Sequence, residues 1–120
     1  MIIRTTVLGT GAWGTTFAQV LADAGHEVKM WGRNPDVVAS INCRENRRYV
    51  PDLVLSDSIR ATCDITEAVQ GTDLVVVAIP VKAVRSTLEA AREGLGNDAV
   101  LLSLAKGLEL GSLKRVDEVI

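Results

Sequence analysis

Three glycines near the N-terminus have the spacing of a loop that binds a diphosphate. Gly9, Gly11 and Gly14 form the pattern G-x-G-x-x-G between a short apolar run and a segment with helical periodicity. In such a loop the first glycine permits a tight turn, the second lets a diphosphate approach the backbone, and the third lets a helix pack against a strand. The helix N-terminus adds unpaired N–H groups and partial positive charge. The pattern predicts a dinucleotide-binding loop, which its place between strand and helix favours over a plain glycine-rich turn.

The residues after the second predicted strand indicate which dinucleotide is favoured. An acidic side chain there would accept hydrogen bonds from a ribose 2′-hydroxyl, as NAD requires. The chain instead reads Trp31-Gly32-Arg33-Asn34-Pro35. Arg33 thus stands where a 2′-phosphate would lie, and a guanidinium can bind such a group bidentately. NADP is therefore the preferred cofactor and NAD the second choice, while the alternative for Arg33 is a solvated loop arginine.

Four further basic residues could meet an anion. Lys106 follows the last predicted strand, and ligands of open parallel sheets collect at the carboxyl ends of strands. It could contact the cofactor or an anionic substrate, although a lysine in a loop is often only solvated. Arg44, Arg47 and Arg48 form a cluster for which a solvated charged loop is the favoured interpretation.

Composition and charge exclude several other classes of protein. The 120 residues are 48% hydrophobic and 23% charged, as expected for one soluble α/β domain. A net charge of −2 argues against a general nucleic-acid surface. The longest apolar run, 74–80, is too short to span a membrane. Residues 1–4 lack the basic segment and long apolar core of a secretory signal, so we expect a cytoplasmic protein. Cys43 and Cys63 lack C-x-x-C spacing and a histidine partner, so no metal site is predicted.

Strands that alternate with helices must position these residues. The predicted strands are 2–8, 27–31, 59–62, 74–79 and 99–103. The predicted helices follow the glycine loop, the N-cap Asn34 and a capping box of Asp64 with Glu67, and then cover 81–92 and 113–120. The face of the first helix comprises Phe17, Val20, Leu21 and Ala24. Residues 42–58 are predicted as a loop, with a further helical turn around 44–48. The pattern predicts an α/β domain with a doubly wound parallel sheet of the Rossmann type.

Five motifs along the whole chain resemble the bacterial-type NAD(P)-dependent glycerol-3-phosphate dehydrogenase family. The motifs are the glycine loop with Trp13 in its fifth position, Gly25-His26-Glu27-Val28 followed by Trp31-Gly32-Arg33, Asn42 with Tyr49-Val50-Pro51, Ala78-Ile79-Pro80, and Ser103 to Glu109. Two positions depart from the family. Val81 stands where many relatives have serine, and Val50 replaces a leucine.

The glycine pattern and the resemblance together imply a set of cofactor-binding residues. These are Gly9, Gly11, Ala12, Trp13, Gly14, Arg33, Asn34, Tyr49 and Lys106. Arg33 and Asn34 would lie beside the adenosine ribose or its phosphate, Tyr49 would approach from the long loop, and Lys106 would contact both cofactor and substrate. The substrates of the intact family member are dihydroxyacetone phosphate and sn-glycerol 3-phosphate, which belong to glycerophospholipid precursor synthesis.

The family also implies that part of the catalytic machinery lies elsewhere. Its general acid/base is a lysine in a helical second domain, which supplies most of the substrate pocket. We expect residues 1–120 to be the NAD(P)-binding Rossmann domain, cut short at its C-terminal end and without that second domain. No catalytic residue is therefore predicted, and the chain alone is expected to be inactive. An isolated domain would expose apolar surface that favours association, so a homodimer stays open.

Two other interpretations stay open at this point. The first is another dehydrogenase of similar architecture, such as a ketopantoate reductase or a sugar-nucleotide dehydrogenase. These would share the glycine loop, but Trp13 together with the string from Lys106 to Glu109 is not expected in them. The second is a stand-alone nucleotide-binding module without catalysis.

Overall fold

Apart from two additional short strands between residues 45 and 54, strands and helices alternate along the chain, as the sequence predicts. In the computed structural model, which describes residues 2–92, 94–95 and 99–103, the elements follow in the order β1 (Arg4–Leu8), α1 (Ala12–Asp23), β2 (Glu27–Trp31), α2 (Pro35–Asn42), β3 (Glu45–Asn46), β4 (Val50–Val54), β5 (Ile59–Thr62), α3 (Ile65–Val69), β6 (Leu74–Val77), α4 (Val81–Ala91) and β7 (Val100–Ser103). The bounds of β2 and β5 are those predicted, and Asn34 caps α2 as predicted.

Five parallel strands form one sheet in the order β5-β2-β1-β6-β7. This is the doubly wound arrangement that the sequence predicts. The chain forms β2 and β5 on one side of β1 and then β6 and β7 on the other side of β1. Leu8 of β1 pairs with Trp31 of β2 and with Val77 of β6. The three central strands therefore end at one level. In such sheets ligands bind outside the carboxyl ends of the strands where the order reverses, here β1 and β6.

Helices cover both faces of this sheet. Val7 and Leu8 of β1 are fully buried and belong to separate cores. The core on the side of α1 and α2 contains Val7, Ala18, Val28, Met30, Val37, Ile41, Leu55, Ile59 and Val76. The core on the side of α3 and α4 contains Leu8, Trp31, Ala68, Val69, Val75, Val77, Ile79, Val84, Leu88 and Ala91. Burial on both faces explains why β6 reads as a continuous apolar run and why β1 ends in two adjacent apolar residues, Val7 and Leu8.

The face that α1 turns towards the sheet differs from the predicted one. The structure buries Gly14, Thr15 and Ala18. Val20, which was predicted to be buried, is 57% exposed, and Ala24 lies exposed beyond the helix end. Small side chains let the helix lie close to the strands, and this close approach decides the orientation of the helix. Phe17 and Leu21 pack partly buried beside the contact.

Residues 42–58, predicted as a loop, contain two short strands. β3 and β4 pair antiparallel with an irregular register, and residues 47–49 form the turn between them, so the predicted helical turn at 44–48 was wrong. Leu55, directly after β4, is 2% exposed and anchors the segment in the core. Strands this short show no sequence period, and Pro51 argues against a central strand. Proline is compatible with edge strands, of which a two-stranded sheet consists.

The start of α3 follows the prediction only in part. Asp64 caps the helix, since its Oδ1 accepts hydrogen bonds from the N–H groups of Thr66 at 3.0 Å and Glu67 at 3.2 Å. A reciprocal capping box would require Glu67 to bind the N–H of Asp64. That N–H donates instead to Thr62 Oγ1 at 3.1 Å.

Two later strands also differ from their predictions. β6 ends at Val77 rather than at residue 79, because Pro80 has no N–H to continue the ladder and stands directly before α4. β7 begins at Val100, one residue after the predicted start. Val100 is 61% exposed, since β7 is an edge strand of the described sheet and is less covered than the central strands.

The start of β6 is fixed to the start of β1 by polar contacts. Asp73 Oδ2 accepts a hydrogen bond from the Arg4 N–H at 3.1 Å, and the Asp73 N–H donates to the Arg4 carbonyl at 2.8 Å. The first of these bonds lowers the pKa of the Asp73 carboxyl, with a smaller contribution from the Arg4 guanidinium. This charged pair lies at the end of the sheet opposite to the glycine loop.

Lys106 and the predicted helix 113–120 lie outside the described residues. In the part of the chain that the structure describes, every helix is too short or too polar to cross a membrane.

Candidate functional site

Gly9 makes the corner at which β1 turns into the glycine loop. Its φ is +128°, a region that residues with a side chain rarely adopt, and a Cβ atom here would lie 2.3 Å from the Ala78 carbonyl oxygen. The Gly9 N–H donates to the Trp31 carbonyl at 2.8 Å. The corner is therefore packed between the ends of β2 and β6.

Gly14 and Gly11 are required for different reasons. A Cβ atom on Gly14 would lie 2.8 Å from the Gly9 carbonyl oxygen and 3.2 Å from Ala78 Cβ, so Gly14 lets α1 pack against the loop. A Cβ atom on Gly11 would have no protein atom within 4 Å. The fold itself thus leaves room at Gly11, on the side where a ligand can approach the backbone.

The N-terminus of α1 opens at the same place. Gly11 is the N-cap residue, and the first bond of the helix runs from the Thr15 N–H to the Gly11 carbonyl at 3.0 Å. The N–H groups of Ala12, Trp13 and Gly14 precede this bond and have no partner within the helix. The first turn carries no acidic side chain. Its amides and the helix dipole therefore favour an anion.

Gly32 brings the end of β2 against the glycine loop, a role that the sequence analysis did not assign. A Cβ atom on Gly32 would lie 2.6 Å from Thr10 Cγ2. Thr10 is the residue between the first two loop glycines, so this contact fixes the loop beside Arg33. The signal in the sequence was a glycine directly after a strand, which often marks a close backbone approach.

A cleft of about 290 Å³ adjoins the loop at the carboxyl ends of the strands. Its lining residues are Gly9, Thr10, Trp31, Gly32, Arg33, Asn34, Tyr49, Ile79, Pro80, Ala83 and Thr87. Four of the predicted site residues, Gly9, Arg33, Asn34 and Tyr49, are among them. The structure thus brings together segments that are far apart in the sequence.

The remaining predicted residues lie outside this cleft. Ala12 and Trp13 are exposed at the start of α1, Trp13 with 80% of its surface accessible, and Gly11 is partly exposed beside them. Gly14 is buried beneath the loop. The predicted set therefore divides between an open helix terminus and the adjoining cleft, while Lys106 is outside the described residues.

Arg33 and Asn34 have separate structural roles. Arg33 is exposed, and among the described residues it forms no ion pair. Asn34 Oδ1 accepts hydrogen bonds from the N–H groups of Asp36 at 2.9 Å and Val37 at 3.4 Å, which begins α2. Only the Nδ2 group of Asn34 is then left to contact a ligand. Arg33 has no such structural task.

In the segment 42–50, the asparagine that contacts the glycine loop is Asn46 and not Asn42, which the sequence motif includes. Asn42 forms two hydrogen bonds with the Ala61 backbone, at 3.0 and 2.8 Å, and so joins α2 to β5. Asn46 instead reaches the Thr10 carbonyl. Asn46 and Thr10 are 36 positions apart in the sequence, so no local signal could have indicated this contact.

The cysteines lie outside this site. Cys43 and Cys63 are both free thiols on the surface. Within the described ranges, no three histidine, cysteine or acidic side chains are grouped as a metal site would need. The chemistry of the site is thus that of backbone amides, a guanidinium and an apolar cleft.

The chain matches one protein family over nearly its full length. The family model described as NAD-dependent glycerol-3-phosphate dehydrogenase N-terminus matches residues 4–120. The NAD(P)+ glycerol-3-phosphate dehydrogenase of Thermobifida fusca is 44% identical over 119 residues, which are 98% of this chain and 35% of that protein. The chain therefore spans about a third of the length of the curated relatives it matches.

Solved structures of dehydrogenases have the same fold. Glycerol-3-phosphate dehydrogenase from Saccharomyces cerevisiae superposes with a TM-score of 0.87 at 26% identity, covering 100% of this chain and 40% of that one. A ketopantoate reductase from Ralstonia eutropha gives a TM-score of 0.75 at 30% identity, covering 96% of this chain and 37% of that one. Both dehydrogenase classes thus share the fold, whereas the matching family model is that of the first.

Proposed function

Because the chain belongs to the NAD-dependent glycerol-3-phosphate dehydrogenase family, as its N-terminal part, we propose that it holds NADPH for hydride transfer between dihydroxyacetone phosphate and sn-glycerol 3-phosphate. Binding of NAD(P) follows from the family. The reaction of the whole protein is proposed, since the chain corresponds to 35% of its relative. The observation that carries the proposal is the open backbone at Gly11, directly at the N-terminus of α1.

The glycine loop fits the diphosphate of the cofactor. The Cβ positions of Gly9 and Gly14 are blocked by the protein itself, whereas that of Gly11 is open. A diphosphate at Gly11 would meet the first amides of α1, including those of Ala12 and Trp13, in the orientation that favours anions. No basic side chain is needed at this point.

The adjoining cleft fits the adenosine end. Ile79, Pro80 and Ala83 supply apolar surface, and Arg33 and Asn34 also line the cleft. We propose that Arg33 binds the 2′-phosphate of NADPH and that Asn34 contacts the ribose through Nδ2. This assignment makes NADP the preferred cofactor and NAD the second choice.

Tyr49 and Lys106 are the other two residues that we propose to contact the bound cofactor. When bound, the reduced nicotinamide supplies the hydride, and the protein supplies position and electrostatics. Tyr49 is 44% exposed and lines the cleft, so we propose that it contacts the cofactor. Lys106 is proposed to hold the phosphate or the reacting oxygen of the substrate. No general acid/base is assigned to this chain, and we propose that the chain alone is inactive.

The cellular role is proposed on the same basis. A reaction that yields sn-glycerol 3-phosphate would supply glycerophospholipid precursors, and the enzyme is proposed to be cytoplasmic. Trp13, Val20 and Val54 are exposed apolar side chains, and their exposure supports a proposal that a second copy or a second domain covers some of them.

A titration with reduced nucleotide tests the proposed function. Trp31 lines the cleft and Trp13 stands at the open helix terminus, so we expect saturable changes in tryptophan fluorescence with NADPH. NADH should bind about tenfold more weakly, because it lacks the 2′-phosphate. We expect no oxidation of NADPH when dihydroxyacetone phosphate is added. If NADPH showed no saturable binding, the cofactor assignment would be wrong. If the chain oxidised NADPH with dihydroxyacetone phosphate, the proposal that the chain alone is inactive would be wrong.

Replacement of Arg33 tests the preference for NADP. Arg33→Asp should weaken NADPH binding by about 30-fold or more and NADH binding by less than about threefold, because it removes a charge-assisted contact and adds repulsion. Arg60→Asp is the matched control. Arg60 is an exposed arginine on β5, and it lines a different cavity from Arg33. Equal losses for both nucleotides in Arg33→Asp would remove Arg33 from the 2′-phosphate.

A further inference from the structure

Asn46 connects the two-stranded sheet to both sides of the glycine loop. Its side chain is buried, with 1% of the residue exposed. The Nδ2 group donates to the Thr10 carbonyl at 2.8 Å and to Thr15 Oγ1 at 2.9 Å. Thr10 precedes Gly11, and Thr15 lies in the first full turn of α1. One amide therefore holds the loop and the helix that follows it.

The contact with Thr10 fixes the direction of one peptide plane. In a trans peptide the carbonyl and the N–H of the next residue point in opposite directions, and the described chain contains no cis peptide bond. With its carbonyl held by Asn46, Thr10 directs the Gly11 N–H away from Asn46. The Thr10 side chain is held separately against Gly32. The loop therefore has little freedom to rotate this plane.

The orientation of the Asn46 amide follows from its partners. The Thr10 carbonyl can only accept a hydrogen bond, so Nδ2 rather than Oδ1 must face it. Oδ1 is buried, and among the described residues it has no hydrogen-bond partner. A buried oxygen without a partner costs free energy, and such a group in a native structure calls for an explanation. The two hydrogen bonds that Nδ2 donates offset part of this cost. The explanation that we consider for the buried amide is that it holds the loop.

Asn46 also positions the segment that reaches the cleft. Its carbonyl accepts a hydrogen bond from the Tyr49 N–H at 3.2 Å, which closes the turn between β3 and β4. Tyr49 lines the cleft from this turn. The same residue thus sets the glycine loop through its side chain and the turn of Tyr49 through its backbone.

We propose that Asn46 is a positioning residue for dinucleotide binding: by holding the Thr10 carbonyl, it aims the Gly11 N–H at the cofactor diphosphate. The inference rests on the proposed function. It predicts that loss of the amide weakens ligands that carry a diphosphate and spares ligands that bind only beside Arg33. A role in stability alone would not distinguish between these ligands.

Two neutral substitutions test this inference without adding charge near the diphosphate. Asn46→Leu keeps a similar shape, and Asn46→Ala removes the side chain. We expect either change to weaken NADPH at least about tenfold, and adenosine 2′-monophosphate, which has no diphosphate, by less than about threefold. Binding is measured by fluorescence for NADPH and by NMR chemical shifts for the monophosphate, below the thermal unfolding transition of each variant.

Asn42 provides the matched control. It too forms two side-chain hydrogen bonds to backbone, but with Ala61. Asn42→Leu and Asn42→Ala should leave both affinities within about threefold of the wild type. Unchanged NADPH affinity in the Asn46 variants, or equal losses for both ligands, would overturn the inference. Failure of the wild type to bind NADPH would instead reject the proposed function.

A measurement on the wild-type protein covers the case in which neither Asn46 variant folds. The side-chain amide protons of Asn46 are followed by NMR hydrogen exchange with and without NADPH. We expect bound NADPH to slow their exchange, because the loop that they hold becomes more rigid. Exchange that NADPH does not change would overturn the inference.

Discussion

Gly9→Ala is expected to destabilise the fold by about 3–5 kcal/mol, because it combines backbone strain with a steric overlap. The new Cβ atom would lie 2.3 Å from the Ala78 carbonyl oxygen, and φ at this position is +128°. The backbone that directly follows β1 or β6 would have to move. A loss of this size is a large part of the about 5–15 kcal/mol by which native proteins are usually stable. Urea unfolding followed by circular dichroism measures it.

Gly25→Ala is the control that separates strain from overlap. Gly25 also has a positive φ, of +92°, but a Cβ atom there would have no neighbour within 4 Å. Gly25→Ala should therefore lower the free energy of unfolding by only about 1–2 kcal/mol. If Gly9→Ala lowered the free energy of unfolding no more than Gly25→Ala does, the close approach of Gly9 to Ala78 would not be a determinant of the fold.

Gly11→Ala is expected to show the opposite pattern, a large loss of binding with an intact fold. Gly11 has φ −74° and ψ −172°, which alanine adopts readily, and its Cβ position is open. Stability should be unchanged or raised by up to about 1 kcal/mol, because alanine restricts the unfolded chain. The added methyl group would displace the diphosphate from the amides of α1. Loss of one or two charge-assisted hydrogen bonds corresponds to about 10- to 100-fold in the dissociation constant.

The same two measurements decide the outcome of this prediction. NADPH titration and urea unfolding are carried out on Gly11→Ala beside Gly25→Ala, which is remote from the site. Gly25→Ala should bind NADPH like the wild type. Normal NADPH binding by Gly11→Ala would mean that the diphosphate does not approach this backbone, and the proposed cofactor site would be wrong.

Local signals in the sequence were sufficient for much of the fold. Asn34 followed by Pro35 predicted the start of α2, because a side-chain cap and a fixed φ act within one turn. The apolar run 74–79 correctly predicted a buried strand, although β6 ends two residues earlier, and the bounds predicted for β2 were correct. Gly9 and Gly14 were assigned structural roles that the close approaches in the structure support.

Features that depend on distant contacts could not be predicted in this way. The orientation of α1 is set by Gly14 and Ala18, whose small size allows close packing but gives a weak hydrophobic signal. The pairing of β3 with β4 involves too few residues to show a period. Asn46 reaches Thr10 across 36 positions. The cleft likewise exists only because the ends of β2, β6 and the β3–β4 turn converge.

The position of Arg33 has a consequence for how coenzyme preference evolves. Gly32 on one side is fixed by its contact with Thr10, and Asn34 on the other is fixed by capping α2. Arg33 itself is solvent-accessible between these two anchors. If Arg33 binds the 2′-phosphate as proposed, a mutation of this single codon would change coenzyme selectivity while sparing the scaffold, which gives lineages a short route between the phosphorylated and unphosphorylated coenzymes.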